Sequence, residues 1–128
     1  MKVLLDTHVF LWAIREDERL SSKAREIFIA GRNELFLSVA SVWEILLKVQ
    51  VGKIRFEEPA VGCLKRQIFK NNIRMLPILI DHVAHLESLP LHHRDPFDRI
   101  LVAQCMEGSL SLLSADPLMR RYSVPVMW

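Results

Sequence analysis

Short apolar runs alternate with longer segments of helical periodicity along this chain, and that alternation constrains the fold more than any other feature. Lys2–Leu5 is a strand candidate stopped abruptly by Asp6, and the dense apolar run in Val9–Arg15 reads as a buried helix. Ser21 or Ser22 can cap a helix through Ala24, Ile27 and Phe28, because a hydroxyl there accepts from an otherwise unpaired amide, and Gly31 closes it. Glu34–Leu37 is a second strand candidate. Ser38 caps the next helix, where Val42, Ile45, Leu46 and Val49 recur at helical spacing until Gly52. Pro59–Asn72 predicts a further helix, Ile73–Ile80 a strand interrupted by Pro77, and Asp81–Ser88 another helix.

The segment from Leu89 to Gly108 is the most legible. Pro90 and His92-His93-Arg94 form a polar loop, Asp95 sits at the N-cap position, and Pro96 occupies the first helical position that proline favours. Phe97, Ile100, Leu101 and Cys105 supply the buried stripe of that helix. Ser111–Leu113 is the last clear strand and runs into Ser114-Ala115-Asp116-Pro117. Strands alternating with helices predict an α/β fold with a mostly parallel central sheet of four to five strands flanked by helices. Ligands in such sheets gather at the carboxyl ends of the strands.

Composition narrows the class. At 128 residues the chain, 1–128, suits one domain, and its 51% hydrophobic content excludes disorder. Only 4 Gly and 6 Pro exclude a fibrous or low-complexity sequence. No apolar run approaches the roughly 18 residues that span a bilayer, so no membrane is expected. Asp6 and His8 interrupt the N-terminal apolar stretch, which makes it a poor signal peptide. Cys63 and Cys105 belong to no CxxC pair and read as free thiols of a cytoplasmic protein. Seventeen Lys and Arg against 15 Asp and Glu give a net charge of +2, which permits nucleic-acid contact without demanding it.

The positions of the acids carry the functional reading. Asp6 ends the first strand, Asp116 follows the last clear one, Asp95 and Asp98 lie in the first turn of a helix, and Glu44 sits on the helix after the second strand. Each has a plain explanation. Asp95 fits an N-cap, Asp98 fits either a helix-favoured acid or a site residue, and Asp116 before Pro117 fits a turn. Glu44, between Val42-Trp43 and Ile45-Leu46, and Asp6, followed closely by hydrophobes, are harder to solvate. In a parallel sheet several of these carboxylates converge on one rim. Two carboxylates about 4 Å apart repel by roughly 4 kcal/mol at an effective dielectric of about 20, so such a cluster calls for a cation or for protonation. Oxygen-only ligands without a supporting cysteine pair point to Mg²⁺ or Mn²⁺, which is most useful against a phosphate substrate.

Asp6-Thr7 after a strand, Ser41-x-x-Glu44, Arg94-Asp95-Pro96-Phe97-Asp98-Arg99 followed by Val102-Ala103-Gln104, and Ser114-x-Asp116 resemble the PIN-domain nucleases, in particular the VapC-type toxins of toxin–antitoxin pairs. The resemblance runs from Lys2 to the region of Asp116. It implies a PIN-like three-layer sandwich and a metal-dependent endoribonuclease, with Asp6, Glu44, Asp98 and Asp116 as catalytic and metal-binding acids and Asp95 an additional acid nearby. Thr7 and Ser114 match hydroxyl residues that support the metal or its waters, Ser114 standing where many relatives carry Thr. The resemblance also implies an RNA substrate cut to leave a 5′-phosphate, a homodimer, and a cognate antitoxin. Arg99 fits a phosphate contact or an ion pair, with the ion pair preferred.

Other residues have plainer readings. His92 and His93 are expected in solvent, since adjacent loop side chains diverge and neither has zinc-ligand spacing. His8 reads as a first-turn helix residue. Lys48, Lys53, Arg55, Lys65, Arg66, Lys70 and Arg74 form either a solvated face or a path for an RNA backbone. Trp12 and Trp43 belong to core or interface. Phe10, Trp12, Phe28 and Ile29 add more apolar surface than one small core needs, which fits a dimer or a peptide groove. Two rivals carry specific expectations. An aspartate-nucleophile phosphatase wants a second acid two residues after Asp6, where His8 stands. A non-catalytic interaction domain with an acidic Mg²⁺ pocket of the phospho-receiver kind wants a late Lys, which Ser111–Asp116 lacks.

Overall fold

The computed structural model describes Met1–Trp128. The strands are β1 (Lys2–Leu5), β2 (Glu34–Ser38), β3 (Ile73–Leu76), β4 (Ser111–Leu113) and β5 (Val126–Met127). The helices are α1 (Thr7–Ile14), α2 (Ser22–Ile29), α3 (Val39–Gln50), α4 (Ala60–Lys70), α5 (Ile80–His85) and α6 (Pro96–Gly108), with a 3₁₀ turn over Pro117–Arg121. The strands form one five-stranded sheet in the order β3-β2-β1-β4-β5, with every neighbouring pair parallel.

Alternation within β1 explains the layering. Val3 and Leu5 face a core shared with Phe10 of α1, Ala24 and Ile27 of α2, Ile45 of α3 and Leu64 of α4. Leu4 points the other way, against Leu101, Val102 and Cys105 of α6 and against Met119 and Tyr122. Leu5, Leu4 and Val3 are all fully buried, as expected for a central strand covered on both faces. Ala40 of α3 meets Ile100 and Ala103 of α6, so α3 and α6 pack against each other there.

Local signals set most boundaries. The Ser21 hydroxyl accepts from the Ala24 amide at 3.0 Å and the Ser38 hydroxyl from the Ala40 amide at 3.1 Å. The expected strand Ile73–Ile80 stops at Leu76, because Pro77 offers no ladder donor, and Ile80 already opens α5. α2 ends at Ile29, before Gly31. Beyond Gly108 it is Ser109 that takes the left-handed conformation (φ 53°) closing α6. Phe10 is wholly in the core, whereas Ile29 is 73% exposed. Trp43 is exposed and meets the Phe97 ring edge-on at 5.1 Å, and Trp12 lies half-buried against His8 and Trp128. No helix is long and apolar enough to cross a membrane.

Candidate active site

Parallel register builds the centre of the site. Leu5 pairs with Leu113, so the residues that follow them, Asp6 and Ser114, emerge side by side at the carboxyl edge. One oxygen of Asp6 accepts the Thr7 amide at 2.7 Å, which makes Asp6 the N-cap of α1, and the other accepts the Ser114 hydroxyl at 2.5 Å. Ser114 Oγ also accepts the Asp116 amide at 3.1 Å, and Thr7 Oγ1 donates to Ser41 Oγ at 2.9 Å, tying α1 to α3. Asp6 is only 1% exposed. Burial pushes its carboxyl up, against the pull of His8 (Nδ1 at 3.7 Å) and the hydrogen bonds from Ser114 and Thr7, and the charge of Glu44 pushes it further up.

The other acids come to the same edge from separate elements. Glu44 is buried on α3. Its Oε2 pairs with Lys48 Nζ one turn on at 3.1 Å, while Oε1 has no hydrogen-bond partner at all. Asp95 caps α6 through the Phe97 amide at 2.8 Å, and Asp116 caps the 3₁₀ turn through the Leu118 amide at 2.9 Å. Asp98, in the first turn of α6, gathers the charge of the whole group. Its carboxyl is pushed up to about 8, first by burial and then by the charges of Asp6, Asp95, Glu44 and Asp116. The structure thus brings Asp6, Glu44, Asp98 and Asp116 into one electrostatic neighbourhood, with Asp95 beside them.

One expectation is overturned. His93 is not a solvent-exposed loop side chain. Its Nε2 lies 2.8 Å from Asp116 Oδ2 and 3.1 Å from Asp98 Oδ2, and the three ligand-capable atoms of these side chains all fall within 4.8 Å of one another. His92 leaves the acids and packs against the Tyr122 ring at 5.1 Å. Arg99 makes neither an ion pair nor an outward-facing contact. Its guanidinium donates to the carbonyls of Pro90 at 2.9 Å and Leu89 at 3.2 Å, and so clamps the loop that carries His93. The only sequence signal for His93 was its place two residues before a helix-capping Asp; its partners lie too far along the chain for spacing to reveal them. His8, expected merely in the first turn of α1, does reach towards Asp6.

This donor set fits a hard divalent cation. Carboxylates from four elements share one electrostatic neighbourhood, one of their oxygens (Glu44 Oε1) is buried without a partner, and burial and mutual repulsion together push the Asp98 carboxyl up to about 8. No thiol joins in. Cys105 is buried, and burial, aided by Asp6, pushes its thiol up to about 12.

Known proteins resemble this chain in sequence and in fold. Over 124 residues the chain is 28% identical to Ribonuclease VapC22 of Mycobacterium tuberculosis (strain ATCC 25618 / H37Rv), covering 96% of this chain and 93% of the relative. The fold matches the crystal structure of VapBC2 from Rickettsia felis bound to a DNA fragment from their promoter, with a TM-score of 0.72 and 15% identity, covering 99% of this chain and 98% of that one. The PIN domain model matches residues 3–125, so the chain belongs to the PIN domain family and is similar to its VapC-type members.

Proposed function

We propose that this protein is a metal-dependent endoribonuclease, the toxin of a toxin–antitoxin pair, hydrolysing RNA phosphodiester bonds with Mg²⁺ or Mn²⁺. The observation that carries the reading is the convergence of Asp6, Glu44, Asp98 and Asp116 on one edge, with a buried oxygen of Glu44 unpartnered and Asp98 pushed up by the other acids. The kinship with a protein named a ribonuclease supplies the substrate class.

Asp6 and Asp98 are the principal metal-holding residues, with Asp116 and Glu44 completing the set. When bound, the metal supplies positive charge that orients and polarises a phosphate and lowers the pKa of a coordinated water. The chain's own part is positional. The Thr7 amide and the Ser114 hydroxyl fix both oxygens of Asp6, so its carboxylate needs no reordering when a charge arrives. Lys48 holds one oxygen of Glu44 and leaves the other, buried and unpartnered, as an acceptor inside the acidic centre. Asp95 is spent on capping and adds only its charge. Cleavage by water leaves a 5′-phosphate and a 3′-hydroxyl, as in the family.

Lys65, Arg66 and Lys70 on α4 are candidates for the RNA backbone path. A cognate antitoxin is the expected partner, in keeping with the VapBC2 complex to which this fold is similar, together with a second copy of the chain in a cytoplasmic homodimer. The phosphatase reading fares less well, because the position two residues after Asp6, where it wants a second acid, is His8.

The test is incubation of the purified protein with total RNA in Mg²⁺, in Mn²⁺ and in chelator. Cleavage is expected with metal and absent with chelator. Asp6→Asn and Asp98→Asn should each lower it by at least about a hundredfold, roughly 2.7 kcal/mol of barrier, with the circular dichroism of the folded chain retained. Full activity in both variants would end this reading.

A further inference from the structure

We propose that His93 is a positioning residue of the acidic centre, a neutral imidazole whose Nε2–H is donated to Asp116 while the ring stands against Asp98 and sets the separation of their carboxylates. The inference rests on the metal-site reading above for its purpose but not for its geometry. Nδ1 of His93 lies 3.2 Å from the backbone amide of Asp95, which can only donate, so Nδ1 must accept and carries no proton. In a neutral ring the proton then sits on Nε2, the atom placed 2.8 Å from Asp116 Oδ2 and 3.1 Å from Asp98 Oδ2. Binding a metal through Nε2 would require that proton to move to Nδ1, donor against donor with the Asp95 amide. The same amide that helps place the ring therefore selects a hydrogen-bond donor over a metal ligand.

The ring is held from several sides. The His93 amide donates to Tyr122 Oη at 2.8 Å, and Arg99 ties the preceding carbonyls of Leu89 and Pro90 to α6. Asp98 and Asp116 arrive from different elements, α6 and the turn after β4, and no backbone hydrogen bond joins those two residues. His93 is the group that spans them. On Asp116 it binds Oδ2 while the Leu118 amide binds Oδ1, so that carboxylate is held at both oxygens, as Asp6 is. Hydrogen-bonding partners of this kind behind metal-binding side chains are typically worth about 10–100-fold in metal affinity.

Long-range ¹⁵N–¹H NMR of the metal-free protein at neutral pH reads the tautomer directly and is independent of any activity. A protonated Nε2 with a bare Nδ1 on His93 is expected, and a proton on Nδ1 would overturn the proposal. Mn²⁺ binding followed by electron paramagnetic resonance then separates the roles. His93→Ala should weaken binding about 10–100-fold. His93→Gln, whose side-chain amide N–H reaches the place of Nε2–H, should recover most of it. Equal Mn²⁺ affinity in wild type and His93→Ala would overturn the proposal, as would a directly bound ring nitrogen in the wild-type spectrum. If His93→Ala fails to fold, the tautomer and the Gln variant still decide. A protein that binds Mn²⁺ in this manner but cuts no RNA would count against the ribonuclease reading and leave His93 in its role.

Discussion

Two aspartates in this chain sit under opposite electrostatic conditions. Asp17, in the turn after α1, is held at about 2 because the Arg19 side chain and backbone amide hydrogen-bond its carboxylate. Asp98, at the carboxyl edge of the sheet, is pushed up to about 8 by burial and by four other acids. Asp17 is a charge with its partner beside it and helps the local turn. Asp98 is a carboxyl whose neighbour at 3.1 Å, His93 Nε2, is hydrogen-bonded to Asp116, in a place where negative charge has been concentrated. The fold tolerates the second arrangement because the rest of the structure holds it: β1, β4 and α6 are anchored in apolar layers that place the acids whether or not they repel. Concentrating like charge costs stability, and a bound cation would offset that cost.

The largest effect that can break this comparison is in the thermal stability of the metal-free chain. A carboxyl ordinarily near 3.8 and held at about 8 in the fold takes up a proton on folding between those pH values. Stability in chelator should therefore fall as pH rises through that window, with a ceiling on the order of 5 kcal/mol for this one group. Asp98→Asn removes the charge. In chelator at pH 9 it should melt several degrees above wild type, a gain of about 2–3 kcal/mol, and the gap should narrow as pH falls and close towards the ordinary carboxyl value of 3.8. Adding Mn²⁺ should reverse the order, since wild type gains by binding and the variant gains less. A variant less stable than wild type in chelator at pH 9 would mean that Asp98 is not under the repulsion described.

A sharper probe is Ser114, whose hydroxyl serves Asp6 and the Asp116 amide together. Ser114→Ala leaves a buried carboxylate oxygen without its donor, at a cost of about 1–3 kcal/mol. Ser114→Thr keeps the hydroxyl and should recover most of that loss in denaturant titrations. Failure of Thr to recover it would assign the effect to packing around the added methyl rather than to the hydrogen bond.

What was legible in the sequence follows the range of the forces involved. Ser21, Ser38 and the Asp95-Pro96 pair announce helix starts because a cap acts within three residues. The apolar run ending at Asp6 announces a strand and its rim acid for the same reason. Glu44 stood out because apolar neighbours on both sides leave a carboxylate poorly solvated. Spacing does not reach the partners of His93, because Asp116 lies 23 positions away and Tyr122 lies 29 positions away, and only the closed sheet brings them together. Arg99 misleads for a related reason: next to Asp98 it reads as an ion-pair residue, yet the side chain turns back to carbonyls ten and nine residues earlier. β5 escapes because two residues, Val126 and Met127, carry no periodicity of their own and become a strand only by pairing with Leu112 and Leu113.

The smallest effect belongs to Asp17, and it tests the comparison from the other side. Asp17→Asn keeps an oxygen able to accept the Arg19 amide but loses the two-pronged contact with the guanidinium. Exposed pairs of this kind contribute little and are screened by salt, so a slight fall in melting temperature at pH 7 is expected, shrinking as salt is added. The sign with pH is opposite to that of Asp98. A carboxyl held below its ordinary value contributes stability that is present above about 3.8 and lost as pH falls through about 2, so the deficit of the variant narrows towards acid. RNA cleavage should match wild type. A deficit that instead widened towards acid, or a loss of cleavage with it, would mean that the turn after α1 and the acidic edge act together and not as separate regions.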